Sequence, residues 1–351
     1  MQHVKRIGGG LNGKTLFDQM VSWKHLCHSW ERFKCGKTKK PDVKAFGENL
    51  KQNLNAIQKD LKTKKYVHAA YTSFFVKDPK LRKINKACVR DRVVHHALFS
   101  KLYPIFDAGF IFDSYSCRIE KGTHRAVRRL HEFFKKESRN NSRPCWVLKC
   151  DIKKFFDSVD QDILMGLLQN RIKNKDATWL LERIIKSFPE GLPLGNITSQ
   201  LFANIYLNEL DQFIKQTLKI KYYIRYCDDF VILNNNPEYL KSLIPRMGEF
   251  LENRLKLSLH PNKVTIRKYR QGIDFLGYVS FPRFTILRVK TKKRMFKRVK
   301  ARLIGFQNGL VKKESLKATL LSYFGMLKHC NAFLVKQDLL KLVASFEHKY
   351  E

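Results

Sequence analysis

Three aspartates carry the chemistry this sequence can do. Two are adjacent, Asp228 and Asp229, in the middle of Tyr222-Tyr223-Ile224-Arg225-Tyr226-Cys227-Asp228-Asp229-Phe230-Val231-Ile232-Leu233. The third, Asp151, ends the apolar run Trp146-Val147-Leu148-Lys149-Cys150. Mg²⁺ takes few carboxylates and keeps room for waters and substrate phosphates. A pair of such ions about 3.5–4 Å apart suits in-line phosphoryl displacement. Nucleotidyl transfer is therefore the chemistry expected of the trio.

That chemistry makes demands on the backbone. Side chains alternate faces along a strand, so adjacent aspartates share a cation easily only where a turn breaks the alternation. The β-rich runs around Asp228-Asp229 read as a hairpin with the pair at its tip. Trp146 to Asp151 reads as a strand, followed by a turn and Phe156; packed antiparallel to the hairpin, it lets Asp151 face Asp228. An isolated Asp-Asp is also an ordinary turn pair. The motifs around it, and their order, decide between the two.

Those motifs resemble the palm of a reverse transcriptase. Asp151 with Phe156 resembles the family's first catalytic motif, and Tyr226-Cys227-Asp228-Asp229 its Tyr-x-Asp-Asp box. Leu255 to Ile266 resembles the next motif, and Gly272-Ile273-Asp274-Phe275-Leu276-Gly277-Tyr278 the primer grip. The resemblance runs from Leu16 through the C-terminal third and implies an α+β right-hand polymerase fold. Expected divisions are an N-terminal arm and helix (1–40), fingers (41–145), a palm with an antiparallel sheet (146–282) and a helical thumb (283–351). It implies RNA-directed DNA synthesis with two Mg²⁺ held by Asp151, Asp228, Asp229 and the Ile152 carbonyl. Phe156 would sit under the sugar and exclude a 2′-hydroxyl, and Phe275, Leu276 and Gly277 would bring backbone against the primer end.

Composition agrees with a polyanionic partner. Lys and Arg number 69 against 31 acids, a formal charge of +38 spread along the chain with aromatics among it. This suits a long phosphate-lined channel better than a basic tail. Eight cysteines without a Cys-x-x-Cys pair read as reduced thiols of a cytoplasmic protein. No apolar run approaches a membrane span or a signal peptide.

Along the chain, Gly8-Gly9-Gly10-Leu11-Asn12-Gly13-Lys14-Thr15 satisfies the phosphate-loop pattern. A phosphate loop follows a buried strand, and the polar residues before Gly8 do not supply one, so the run reads as an arm capping a helix over 16–33. Apolar spacing predicts a second helix over 43–61. Tyr71 to Val76 and Leu81 to Ile84 read as a hairpin with a cationic tip. The family's fingers hairpin covers the incoming nucleotide, and the resemblance maps this onto Lys77 and Arg82.

His95 and His96 lie in a helix that begins at Asp91 and reaches about Leu102; neighbours on a helix point about 100° apart, so they read as packing or backbone-facing residues. Arg118 and Lys121 are candidate template or nucleotide contacts before a helix starting at Thr123, and 135–144 reads as a basic loop. Helical spacing returns at 163–168, 179–185 and 237–257. Lys263 can protonate a departing pyrophosphate, with an ordinary surface lysine as the alternative. Dense basic charge from Arg283 to Lys328, with helical spacing at 296–306 and 316–327, reads as a thumb tracking duplex backbone. No maturase, endonuclease or RNase H-like segment is expected beyond it.

Leu194-Gly195-Asn196-Ile197-Thr198-Ser199-Gln200 forms a loop entering a helix that Thr198 or Ser199 can cap. Most reverse transcriptases carry Gln-Gly and Ser-Pro where this chain has Leu194-Gly195 and Ser199-Gln200. The form here resembles the reverse transcriptases of diversity-generating retroelements. That subtype implies error-prone copying, chiefly opposite template adenines, a structured template RNA and a small basic accessory protein. Two other readings keep a reverse-transcriptase-like palm: a group II-like or other bacterial enzyme of ordinary fidelity, and a non-catalytic RNA-binding protein. A phosphate-loop NTPase is the third alternative.

Overall fold

The computed structural model describes residues 14–77 and 80–347. It opens with helices α1 (Leu16–Val21), α2 (Trp23–Lys34), α3 (Pro41–Glu48) and α4 (Leu50–Lys62). Each of the two longer helices expected here is cut once. Ser22 is extended (φ −62°, ψ 143°) and Asn49 leaves helical geometry (φ −114°, ψ 37°). Apolar spacing does not register such kinks, because the buried stripe resumes beyond them. Gly8 to Gly13 of the phosphate-loop-like run lie outside the described residues. Thr15 is the N-cap of α1, exchanging hydrogen bonds with Asp18 in a capping box.

Strands β1 (Thr72–Lys77) and β2 (Leu81–Lys86) pair antiparallel as the hairpin pattern predicts, and β1 is exposed throughout. Helix α5 (Val89–Asp107) outruns its expected end at Leu102 and passes through Pro104. Tyr103 and Phe106 are buried on either side of the proline, and that packing offsets the missing backbone donor. Helix α6 (Thr123–Glu137) begins where expected, after Gly122 at φ 106°, and takes in the first residues of the predicted loop 135–144.

The central unit is β3 (Trp146–Asp151), α7 (Phe155–Ser158), α8 (Gln161–Arg171), α9 (Lys175–Ile185), α10 (Ile197–Gln212), β4 (Tyr223–Tyr226), β5 (Asp229–Asn234), α11 (Pro237–Leu255) and β6 (Thr265–Lys268). Its strands form an antiparallel sheet in the order β4-β5-β3-β6. Both faces are covered, which is why the strands read as nearly unbroken apolar runs. Leu148, Cys150, Phe230 and Ile232 enter one core, while Val147, Val231, Leu233 and Ile224 enter a second. The period of two assigns alternate residues of one strand to different cores.

A second antiparallel sheet, β7 (Ile273–Phe275), β8 (Tyr278–Ser280) and β9 (Thr285–Leu287), leads into α12 (Val289–Gln307), α13 (Lys313–Leu327) and α14 (Phe333–Glu347). Strand β9 lies beyond residue 282 and pairs with β8. The third helix, α14, has no counterpart in the helical spacing read from the sequence. None of the described helices is long and apolar enough to cross a membrane, and all eight cysteines are free thiols.

Candidate active site

A two-residue turn joins β4 to β5, with Tyr226 opposite Asp229 and Cys227 at φ 58°. On its other edge β5 pairs with β3, and Asp151 stands opposite Asp229. Residues opposite one another in an antiparallel pair share a face, so Asp151 and Asp229 project together. The sequence reading set Asp151 against Asp228; the register pairs Asp151 with Asp229, and Asp228, at the centre of the two-residue loop, still lies close enough to feel the charge of Asp151. Asp228 is tied in nonetheless, its carbonyl accepting from the Ile152 N–H at 3.2 Å.

Burial pushes the Asp228 carboxyl above the usual range, and Asp151 adds to the shift. Burial also raises Asp229, against the pull of Lys149, whose Nζ lies 3.8 Å from Asp229 Oδ1. Lys263 Nζ sits 2.6 Å from Asp151 Oδ1. Asp151, Asp229, Lys149 and Lys263 open onto a cavity of about 400 Å³ whose cations are Lys80, Lys149, Lys263, Arg267 and Arg288 and whose acids are Asp151, Asp229 and Asp274. A cationic cleft over desolvated carboxylates suits a triphosphate.

Among the described residues, no group of three or more His, Cys, Asp or Glu side chains is arranged to hold a metal ion by itself. The donor set still fits a hard divalent cation, which needs one or two carboxylates and completes its shell with water and substrate oxygens. A cation would relieve the desolvated charge that raises Asp228 and Asp229.

The structure treats the other expected residues unequally. Phe156 is half-buried on α7 beside Phe155, and its carbonyl accepts from Leu192 N–H at 2.7 Å. Gly191 (φ 62°) passes so close that an added Cβ would lie 2.2 Å from that oxygen. The Leu194 carbonyl accepts from Asn85 N–H at 2.8 Å, and Gly195 (φ 116°) lies against Ile84. These contacts fasten the loop to β2, with Gln200 exposed on the first turn of α10. The expected caps Thr198 and Ser199 fall inside that helix. Its N-cap is Asn196, whose amide donates to Asn85 O at 3.0 Å and so serves β2.

Lys77 and Arg82 are exposed on the hairpin, while Lys80 between them lines the cavity. Arg118 is drawn inward, donating to Asp107 Oδ1 at 2.6 Å and to the carbonyls of Ile111 and Ser114. Lys121 donates to Phe112 O at 2.9 Å and lies over the Phe112 ring. Both cations are occupied within the protein, because the loop before α6 has carbonyls of its own to satisfy. Phe275 is buried, and Leu276 (φ 53°) with Gly277 (φ 88°) makes the tight turn between β7 and β8.

His95 faces side chains, not backbone: its ring nitrogens lie 2.8 Å from Thr198 Oγ1 and 3.1 Å from His68 Nε2. Burial pushes it down to about 3. Sequence reasoning missed Lys80, Lys149, Arg267 and Arg288. Lys149 was readable, standing two residues before Asp151 and so on its face; the others reach the cleft through tertiary packing.

A family model described as Reverse transcriptase (RNA-dependent DNA polymerase) matches residues 76–280, more than half of the chain. The chain belongs to this reverse transcriptase family. It is similar to Protein YkfC of Escherichia coli (strain K12), 28% identical over 241 residues, 57% of this chain and 63% of that protein. It is also similar to Group II intron-encoded protein LtrA of Lactococcus lactis subsp. cremoris, 24% identical over 271 residues, 57% of this chain and 44% of LtrA. The chain thus spans less than two thirds of either relative's length. Among solved structures, Candida albicans telomerase in complex with a fragment of telomeric RNA aligns with a TM-score of 0.51 at 11% identity, covering 87% of this chain and 60% of that one. At that identity the likeness shows the fold alone, the α+β right-hand polymerase architecture.

Proposed function

We propose that this chain is an RNA-directed DNA polymerase that extends a primer on an RNA template with deoxynucleoside triphosphates. The observation that carries this reading is the register placing Asp151 opposite Asp229, with Asp228 in the adjoining turn and a cationic cavity above them. Asp151, Asp228, Asp229 and the Ile152 carbonyl would hold two Mg²⁺. When bound, these ions favour attack by the primer 3′-hydroxyl and steady the leaving pyrophosphate. Lys263, beside Asp151, would give a proton to the pyrophosphate. Lys80 and Arg267, with Lys77 and Arg82 on the hairpin, neutralise the triphosphate. Phe156 selects against a 2′-hydroxyl, and the Leu276-Gly277 turn meets the primer end. The divisions at residues 40, 145 and 282 belong to this reading, as does a cytoplasmic setting for the free thiols.

The finer reading is error-prone copying in a diversity-generating retroelement, with a structured template RNA and a small basic accessory protein. It is supported by Leu194, where an aliphatic side chain stands in place of an amide beside the loop fastened to β2. Without that hydrogen bond, discrimination rests on shape, worth about 1–3 kcal/mol. Likeness to the group II intron-encoded LtrA favours a second reading, a reverse transcriptase of ordinary fidelity.

The test is primer extension on an adenine-rich RNA with Mg²⁺ and deoxynucleotides, beside Asp228→Ala, with the products sequenced. Extension that the variant loses supports the polymerase, and errors concentrated at template adenines support the retroelement subtype. Faithful products favour the second reading. RNA binding without extension, unaffected by Asp228→Ala, would reduce the site to a binding surface.

A further inference from the structure

Arg225 lies on β4, three residues before Asp228, in a run that otherwise reads as apolar strand. Its side chain is completely buried, as is that of Asp211 on α10. The guanidinium forks onto the carboxylate, Nε to Oδ1 at 2.7 Å and Nη2 to Oδ2 at 2.5 Å. Tyr223 Oη donates to the same Oδ1 at 2.6 Å. The remaining nitrogen, Nη1, donates to Asn204 Oδ1 at 3.3 Å and to the Cys227 carbonyl at 3.2 Å. That carbonyl belongs to the peptide leading into Asp228.

A fully desolvated ion pair is a poor source of stability. Removing both charges from water costs about what their attraction returns, and apolar replacements of similar volume are often neutral or stabilising. What this pair does have is a particular grip. Cys227 holds a left-handed φ, a conformation that persists in a non-glycine residue only where its surroundings over-determine it. Two of the bonds at the turn reach its carbonyls from outside it, Arg225 Nη1 to the Cys227 carbonyl and Ile152 N–H to the Asp228 carbonyl. Asn204 and Asp211 are seven residues apart on α10 and so share one face. The same helix carries Gln200 on its first turn. Asn204 also donates to Ser116 O at 2.8 Å, and the Arg225 backbone pairs with Asp113 and Tyr115.

We infer that Arg225, clamped by Asp211 and Asn204, is a positioning residue for catalysis: it sets the Cys227–Asp228 peptide so that Asp228 stays aligned with Asp151. It touches no reacting atom, and the inference rests on the proposed catalytic role of Asp228. Removing one charge alone would strand the other, so the decisive variant is Arg225→Met/Asp211→Leu with Tyr223→Phe, which removes the pair together with the hydroxyl that depends on it. The expected result is near-native melting and primer–template affinity, kcat for extension lower by about 10²-fold, and faster hydrogen exchange at the Ile152 amide.

Exchange is measured without metal or nucleotide, so it reports the clamp even if the wild type fails to extend. That failure would sink the polymerase reading alone. Wild-type exchange and kcat in the folded triple variant would overturn the inference. Should the triple variant not fold, Arg225→Lys keeps the charge but not the fork, and the same two readouts decide: a lower kcat with faster exchange supports the clamp, and unchanged values overturn it.

Discussion

Asp228 and Asp229 are carboxylates kept where their charge is disfavoured. Burial leads the upward shift in both, so each binds its proton more tightly folded than unfolded. Such a group costs nothing below its unfolded pKa, where both states are protonated, and its full cost is present above its folded pKa. Asp228→Asn is therefore expected to raise the melting temperature of the metal-free protein at pH 7. The gain should vanish as pH falls below the ordinary carboxylate range, and extension should drop by roughly 10³-fold. Thermal melts at both pH values beside single-turnover extension check this; a lower melting temperature at pH 7 would contradict the burial argument. Protons and cations compete for these oxygens, so the half-saturating Mg²⁺ concentration should climb as pH approaches the same range.

The β1–β2 hairpin projects with little of its own surface buried, and its attachment is at the base, through Asn85 to Leu194 and the fit of Gly195 against Ile84. Its tip supplies Lys80 to the cavity that Asp151 and Asp229 line. Lys80→Ala is expected to raise KM for deoxynucleotides by roughly 10-fold, about one charge-assisted hydrogen bond, with melting unchanged because the residue is exposed. Gly195→Ala should raise the same KM by moving the hairpin base, since its φ of 116° suits glycine and an added Cβ would lie 2.7 Å from Ile84 Cγ2. Steady-state kinetics of these variants beside Lys77→Ala and Arg82→Ala decide the point. If only the last two raise KM, the phosphate contacts belong to the flanks of the hairpin.

For the molecule as a whole, +38 is a statement about its partner. On α12 the residues buried at every fourth position, Thr291, Met295, Val299 and Leu303, leave Lys290, Lys293, Lys297 and Lys300 exposed. They add an exposed row of charge to the cations that line the cavity. Affinity for an RNA–DNA duplex is expected to fall by about 10³-fold or more between 50 and 200 mM monovalent salt, as for a protein making 6–10 phosphate contacts. A binding titration at several salt concentrations reads the slope, and a shallow one would mean that the charge is not directed at a polyanion.

What could be read without tertiary structure is what neighbours in sequence decide. Asp228-Asp229 at a hairpin tip follows from strand alternation and turn chemistry. Asp151 at a strand end, the loop entering α10 and the basic helix α12 follow from periods of 2 and 3.6. Lys149 belonged with them, two residues from Asp151. Packing decided the rest. The register that sets Asp151 against Asp229 depends on how β3 meets β5 across nearly eighty residues of sequence. Arg118 reads in one dimension as a candidate template contact, yet it pairs with Asp107 and satisfies loop carbonyls, and Arg225 is buried against Asp211. Whether a charge is solvated, paired or aimed at a ligand depends on which distant groups surround it, and sequence spacing holds no record of those groups.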